Sequence, residues 1–280
     1  MRWQGGRRGG GIEDRRGMGV VAGGGVGAIV LGLIGYFVLG IDPATTSQIV
    51  SQFGGAGSQE QGKVGTPEDQ AGQFVDVVGA NINDVWKTKL DGYMQPRVVL
   101  YEQGTGTGCG MGQSAMGPFY CPNDQTVYLD LGFWRDMETQ LGASGADFAR
   151  AYVIAHEFGH HVQTLTGASQ QVREAQQRAG GQAEANQYSV ALELQADCYA
   201  GVWAANAAAV SNGAVALESG DLEEGMKTAN AIGDDTLQKR GGGWVSPENF
   251  THGSSAQRVE WLQRGYQSGD PGQCDTFARL

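Results

Sequence analysis

The sequence is poor in histidine and cysteine, with four of each, and none of the cysteines forms a C-x-x-C pair. That absence argues against a cysteine-held zinc site, whose ligands arrive in closely spaced pairs. Basic charge is scarce too: 19 Lys and Arg stand against 30 Asp and Glu, for a net charge of −11. A nucleic-acid partner needs a basic stripe to neutralise phosphates, and the acidic body of this chain excludes that class. The basic excess is confined to the start, where Arg2, Arg7, Arg8, Arg15 and Arg16 face only Glu13 and Asp14.

Charge of either sign is missing from Gly17 to Ile41, and Val26 to Leu39 is almost wholly apolar. About 20 apolar residues cross a bilayer core, so one transmembrane helix is expected over 18–41. Arginines precede it, and no Lys or Arg follows until Lys63. The positive-inside rule then places 1–17 as a basic cytoplasmic N-terminus and the rest outside, in a single-pass protein of the cytoplasmic membrane. A cleaved signal peptide is the alternative, but its apolar core is shorter, and no good small-x-small site follows Leu39. Gly19, Gly23 and Gly27 repeat every fourth residue, a spacing that would support a weak homodimer through the membrane helix. Residues 42–65 are rich in Gly, Ser, Gln and Thr and read as a flexible linker. Residues 66–280 remain as the main domain.

All four cysteines follow the expected anchor, in a compartment that would be oxidising. Four allow three connectivities. Proximity favours Cys109–Cys121, which leaves Cys198–Cys274 to tie the last residues back onto a helix.

Within the domain, Thr66-Pro67-Glu68-Asp69 outlines a capping box with Thr66 as N-cap. Phe74, Val77, Val78, Val85 and Trp86 continue at helical spacing to about Lys89. Arg97 to Tyr101 and Thr126 to Leu129 are β-branched or aromatic and predict strands. Helices are predicted over Phe148–Leu165, Ala183–Ala209, Leu222–Lys239 and Ala256–Tyr266. The fold class is therefore α+β, a mainly helical domain with a small sheet ahead of the helix that carries the histidines.

That helix contains His156-Glu157-Phe158-Gly159-His160. At roughly 3.6 residues per turn, His156 and His160 project from one face. Their nitrogens can reach one ion at about 2.0–2.1 Å, as zinc requires. Glu157, rotated by about 100°, cannot be the third ligand but can approach water on the metal. Zinc lowers the pKa of that water toward ~7, so Glu157 could take its proton and pass it to a leaving amine. The blander reading is two surface histidines with an incidental glutamate.

A catalytic zinc takes a third protein ligand and keeps one position open. Glu193 and Asp197, again four apart, share a helical face. Glu193 suits the third ligand, and Asp197 suits a hydrogen bond that orients a ligand histidine. A solvated acidic face is the competing reading, made less natural by the apolar neighbours Val190, Leu192 and Leu194. Thr166 stands where a metzincin would have its third histidine, which removes that reading. His161 points to another face and reads as structural or solvent-exposed rather than as a ligand. For His252, spacing leaves two roles open: oxyanion stabilisation helped by Arg258, or a place in a loop where Ser254 caps the last helix.

These stretches together resemble a known family. Met1-Arg2-Trp3-Gln4-Gly5, Ile12-Glu13-Asp14-Arg15-Arg16-Gly17 and Gly117-Pro118-Phe119-Tyr120-Cys121-Pro122 belong to the resemblance. So do Val127-Tyr128-Leu129-Asp130, the His156-to-Gln163 run, Glu193-to-Cys198 and Thr251-to-Arg258. The chain is similar over nearly its whole length to the bacterial, membrane-anchored neutral zinc metallopeptidases. These look similar in turn to the zincins with glutamate as third zinc ligand, including the CAAX prenyl protease type. The resemblance implies a zincin-like fold, one Zn2+ per chain, and a peptide or protein substrate cleaved by zinc-activated water. It further implies His252 and Arg258 as catalytic residues, although Gly253 follows the histidine where that type usually has proline. By the same resemblance, Val127 to Leu129 would be the sheet edge along which a substrate lies. No Gly-x-Met-Glu-Asn signature suggests an aminopeptidase, so an endopeptidase is expected. The alternative is a catalytically silent zinc-containing binding or chaperone-like module at the cell envelope.

Overall fold

In a computed structural model of the chain, residues 1–17 and 62–280 are described. The expected membrane helix over 18–41, its glycine repeat and most of the 42–65 linker lie outside them. Among the described residues, no helix is long and apolar enough to cross a membrane.

The fold is mixed α/β, with eight α-helices among the described residues and a small sheet. Strands β1 (Ile12–Asp14), β2 (Lys63–Gly65), β3 (Arg97–Tyr101), β6 (Phe119–Cys121) and β7 (Thr126–Asp130) form that sheet in the order β2-β1-β3-β7-β6. β1 runs antiparallel to β2 and parallel to β3; β7 is parallel to β3 and antiparallel to β6. A separate hairpin, β4 (Gly104–Thr107) with β5 (Gly110–Gln113), encloses Cys109. Side chains alternate across the sheet as the pleat requires. Val98, Leu100, Val127 and Leu129 face the main core, whereas Val99, Tyr101 and Tyr128 pack with Cys121 and Phe119 on the other side.

The helices are α1 (Gln70–Lys89), α2 (Phe133–Thr139), α3 (Asp147–Thr166), α4 (Ala168–Arg178), α5 (Gln182–Val210), α6 (Asp221–Ala231), α7 (Asp234–Arg240) and α8 (Ser255–Ser268). Long α5 is flanked by α1, α3, α4 and α8. Phe74, Val78, Ile82, Trp86, Phe158 and Trp203 fill the space between helices and sheet. Where α5 crosses α8, a Cβ on Gly265 would lie 1.9 Å from the Cys198 carbonyl oxygen, so only glycine permits that approach. The two disulfides pair as expected, Cys109–Cys121 and Cys198–Cys274, and the second ties the C-terminal region to α5.

Three expectations are corrected. Helix α1 starts at Gln70, and its cap is Asp69, which accepts from the Gly72 N–H. The same carboxylate also takes Arg16, a long-range partner that selects it over Thr66. The stretch Leu222–Lys239 is two helices. They part at Gly233, where the backbone comes so near Ser255 that a Cβ would clash with it.

The third concerns residues 1–17, expected as a basic segment apart from the 66–280 domain. It is instead woven into the domain. Glu13 pairs in register with Val99 on one side and Val64 on the other. Arg15 and Glu13 form a buried ion pair extended by Thr105. Trp3 is buried edge-on against Phe74, and its indole donates to Asp147 at the start of α3. The terminal amine meets Asp221 at 2.9 Å. β1 and β3 are parallel neighbours in one sheet, so residues 12–14 and 97–101 lie side by side. Residues 63–65 are strand rather than linker.

Candidate metal centre

Helix α3 begins at Asp147, whose negative charge suits a helix N-terminus, and ends with Gly167 in the left-handed region. Its apolar face is buried, and the His156–His160 edge is turned toward α5. Gly159 sets the distance between the two helices. A Cβ there would lie 3.0 Å from the Ala196 Cα and 3.1 Å from its carbonyl oxygen. Glycine lets the backbones approach, and the approach delivers Glu193 to the histidines.

His156, His160 and Glu193 come together: one ligand atom from each lies within 4.8 Å of the others. Glu193 Oε2 is 3.1 Å from His156 Nε2, and Oε1 is 3.4 Å from His160 Nε2. The remaining imidazole nitrogens are occupied elsewhere. His156 Nδ1 faces Asp197 Oδ1 at 2.8 Å, and His160 Nδ1 faces Gln163 Oε1 at 2.8 Å. Two Nε2 atoms, each ring backed from behind, and a carboxylate converging on one point are the donor set that zinc takes. The residues present fit the metal.

Charge is organised around this cluster. Burial opposes a proton on His156, but Asp197 and Glu193 outweigh it and lift the imidazole to about 10. Burial likewise opposes ionisation of Glu193, yet the two histidines hold it well below the ordinary carboxylate range. Asp197, fully buried, is held at about 2 against its desolvation by Arg258 and His156. Glu157 moves the other way. Burial raises it, opposed by both histidines and by the backbone N–H of Tyr120 on β6. Protons and a divalent cation compete for the same lone pairs.

The other expected residues fall into two places. Arg258 Nε and Nη2 grip Asp197 at 2.8 and 2.9 Å, and Nη2 also reaches the Tyr152 hydroxyl. Its hydrogen bonds tie it to the same carboxylate that faces His156. His252 lies near enough to the centre for the charge of Glu193 to raise its pKa, though burial opposes this first. Its loop is held by Asp234, whose Oδ2 accepts from the backbone N–H groups of Thr251, His252 and Gly253 at 2.7, 2.7 and 3.1 Å. Asp234 Oδ1 sits 3.3 Å from His252 Nδ1. Ser254 also caps α8 in a complete capping box with Gln257. Of the two readings of His161, solvent exposure is ruled out: its buried ring lies between the Tyr120 hydroxyl and the Met94 carbonyl. The expected substrate edge is misplaced by one strand. β7 is paired on both sides, and β6 is the free edge beside α3.

The comparisons with known proteins agree with this geometry. The family described as "Putative neutral zinc metallopeptidase" matches residues 1–277. The chain belongs to that family. It is 50% identical over 238 residues to the uncharacterized protein YpfJ of Escherichia coli K12, covering 84% of this chain and 79% of that protein. It is 46% identical over 206 residues to the uncharacterized protein Rv2575 of Mycobacterium tuberculosis, covering 71% and 68%. No solved structure matches it significantly.

Sequence reading missed Tyr152, Gln163, Tyr120 and Asp234. Tyr152 and Gln163 stand four residues before His156 and three after His160, so the helical period offered a signal for both. Asp234 gave none, because its partners lie 17 to 19 residues away in an irregular loop.

Proposed function

We propose that this family member is a zinc-dependent endopeptidase in which Glu157 is the general base. The observation that carries the reading is the convergence of His156 Nε2, His160 Nε2 and the Glu193 carboxylate, with Glu157 buried beside them. Zinc held there supplies Lewis acidity, polarising a peptide carbonyl and letting water lose a proton near neutral pH. Burial raises Glu157 toward the range where a carboxylate can both accept and release a proton. It takes the proton from the attacking water and returns it to the leaving amine. The Tyr120 N–H holds the carboxylate in place. His252, steadied by Asp234, donates to the oxyanion that forms at the scissile carbonyl. A substrate in extended form adds to the free edge of β6, where main-chain hydrogen bonds bring it across α3.

The two disulfides favour an oxidising compartment. In this proposal the uncharged run over 18–41 attaches the chain to the bacterial membrane, with residues 1–17 and the domain on one side of it.

The test is Glu157→Gln in the full chain, assayed on a peptide library beside the parent. Zinc content should be unchanged while hydrolysis falls by ~10² or more. A variant that cleaves as fast as the parent overturns the mechanism, and a zinc-loaded parent that binds peptides without cleaving any points to the silent module.

A further inference from the structure

The two histidines of the metal centre are supported from behind by different chemistry. His156 has the Asp197 carboxylate, whereas His160 has no carboxylate at Nδ1. Its partner is the side-chain amide of Gln163, one turn further along α3 and fully buried. An amide can present either its oxygen or its NH2 group, so its direction must be read from the network around it.

Here the network allows one direction. Gln163 Nε2 lies 2.6 Å from the carbonyl oxygen of Leu192 and 3.1 Å from Gln195 Oε1. A backbone carbonyl only accepts, so the NH2 group must face Leu192 and the oxygen must face His160. Gln195 is oriented by the same logic, because its Nε2 lies 3.0 Å from the Cys274 carbonyl oxygen. Two backbone carbonyls thus polarise a chain of amides toward His160. An oxygen 2.8 Å from His160 Nδ1 requires the proton on that nitrogen. The lone pair then sits on Nε2, on the side of Glu193.

We propose that Gln163 is a positioning residue for metal binding, holding His160 as the Nδ1–H tautomer, with Gln195 and the Cys274 carbonyl locking its direction. The proposal rests on the metal centre of the preceding reading but not on peptide cleavage. The anchoring carbonyls come from α5, which carries Glu193, and from Cys274, the disulfide partner of Cys198 on α5. The element that brings the third ligand therefore also orients the second.

The experiment uses the full chain labelled with 15N only at histidine, titrated with Zn2+ against a competing chelator and followed by long-range 1H–15N NMR. Four histidines give a simple spectrum, and His161 supplies an internal contrast. Its Nε2, 2.6 Å from the Met94 carbonyl, must carry the proton there. In the zinc-loaded parent, His160 should show a protonated Nδ1. Gln163→Leu should weaken Zn2+ binding about 10- to 100-fold, and Gln195→Leu by less. Loss of the Nδ1 proton signal of His160 in Gln163→Leu should accompany the weaker binding. Equal Zn2+ affinity in parent and Gln163→Leu overturns the proposal. So does an unprotonated Nδ1 on His160 in the parent, which decides the matter even if the variant folds poorly. A parent that fails to bind Zn2+ at all would instead overturn the metal centre itself.

Discussion

Asp197 holds a metal ligand and an arginine with one carboxylate: Oδ1 is 2.8 Å from His156 Nδ1, and Oδ2 is 2.8 Å from Arg258 Nε. The Tyr152 hydroxyl donates to the same Oδ1 at 2.6 Å. All of these groups are buried. An anion in such a place persists only when its lone pairs are filled and a cation answers it. The arginine neutralises Asp197, and Asp197 in turn orients the histidine.

That relationship separates two effects of substitution. Asp197→Ala should lower zinc affinity by ~10- to 100-fold, less steeply than Glu193→Ala, which removes a ligand. It should also destabilise the zinc-free fold by ~3–5 kcal/mol, because Arg258 is left charged and buried without the carboxylate it grips. The double variant Asp197→Leu with Arg258→Met should regain much of the stability and none of the affinity. Urea unfolding and chelator competition measure the two quantities separately. Recovery of zinc binding in the double variant would show that Asp197 does not orient His156.

The Asp234–His252 pair gives a second expectation. His252→Ala should cut turnover by ~10²- to 10³-fold, the range for losing one oxyanion donor. Asp234→Ala releases three backbone N–H groups along with the ring and should lower turnover without loss of zinc. Because the two act as a unit, the double variant should be no slower than His252→Ala alone. Zinc analysis runs alongside the kinetics, and metal loss in His252→Ala would make His252 a ligand.

A third expectation follows from the shared sheet. Cysteines introduced at Gly5, where a Cβ meets nothing within 4 Å, and at the exposed Lys227 should react alike with an impermeant maleimide on intact cells. The native cysteines are all in disulfides, so background labelling is low. Opposite labelling of the two sites would place them on different sides of a membrane and rule out β1 pairing with β3 in the same chain.

Much of the site was legible along the chain because helices repeat locally. His156 with His160 and Glu193 with Asp197 are each one turn apart, and that period needs no tertiary knowledge. The strand β3 and the helices α3, α5 and α8 were placed to within about two residues for the same reason, since apolar spacing marks the buried face. Strand β1 was not. Three residues between a glycine run and two arginines carry no periodic signal, and Ile12–Asp14 becomes a strand only because β2 and β3 complete its hydrogen bonds. The sheet edge failed for a related cause: β7 has the stronger strand composition, but it is the pairing of β6 against it that moves the free edge outward.

The sequence by itself determined that two histidines and two carboxylates would line two helix faces, and which of them have the chemistry to hold zinc. Only the tertiary structure decided how those faces meet. The close crossing at Gly159 brings Glu193 to both imidazoles, and Asp197 and Gln163 fix which nitrogen of each ring is free. It paired Arg258 with Asp197, and it joined the N-terminal segment to the domain. The physical reason is range. A helical period places side chains one turn apart, whereas the direction of a buried hydrogen bond depends on partners dozens of residues away.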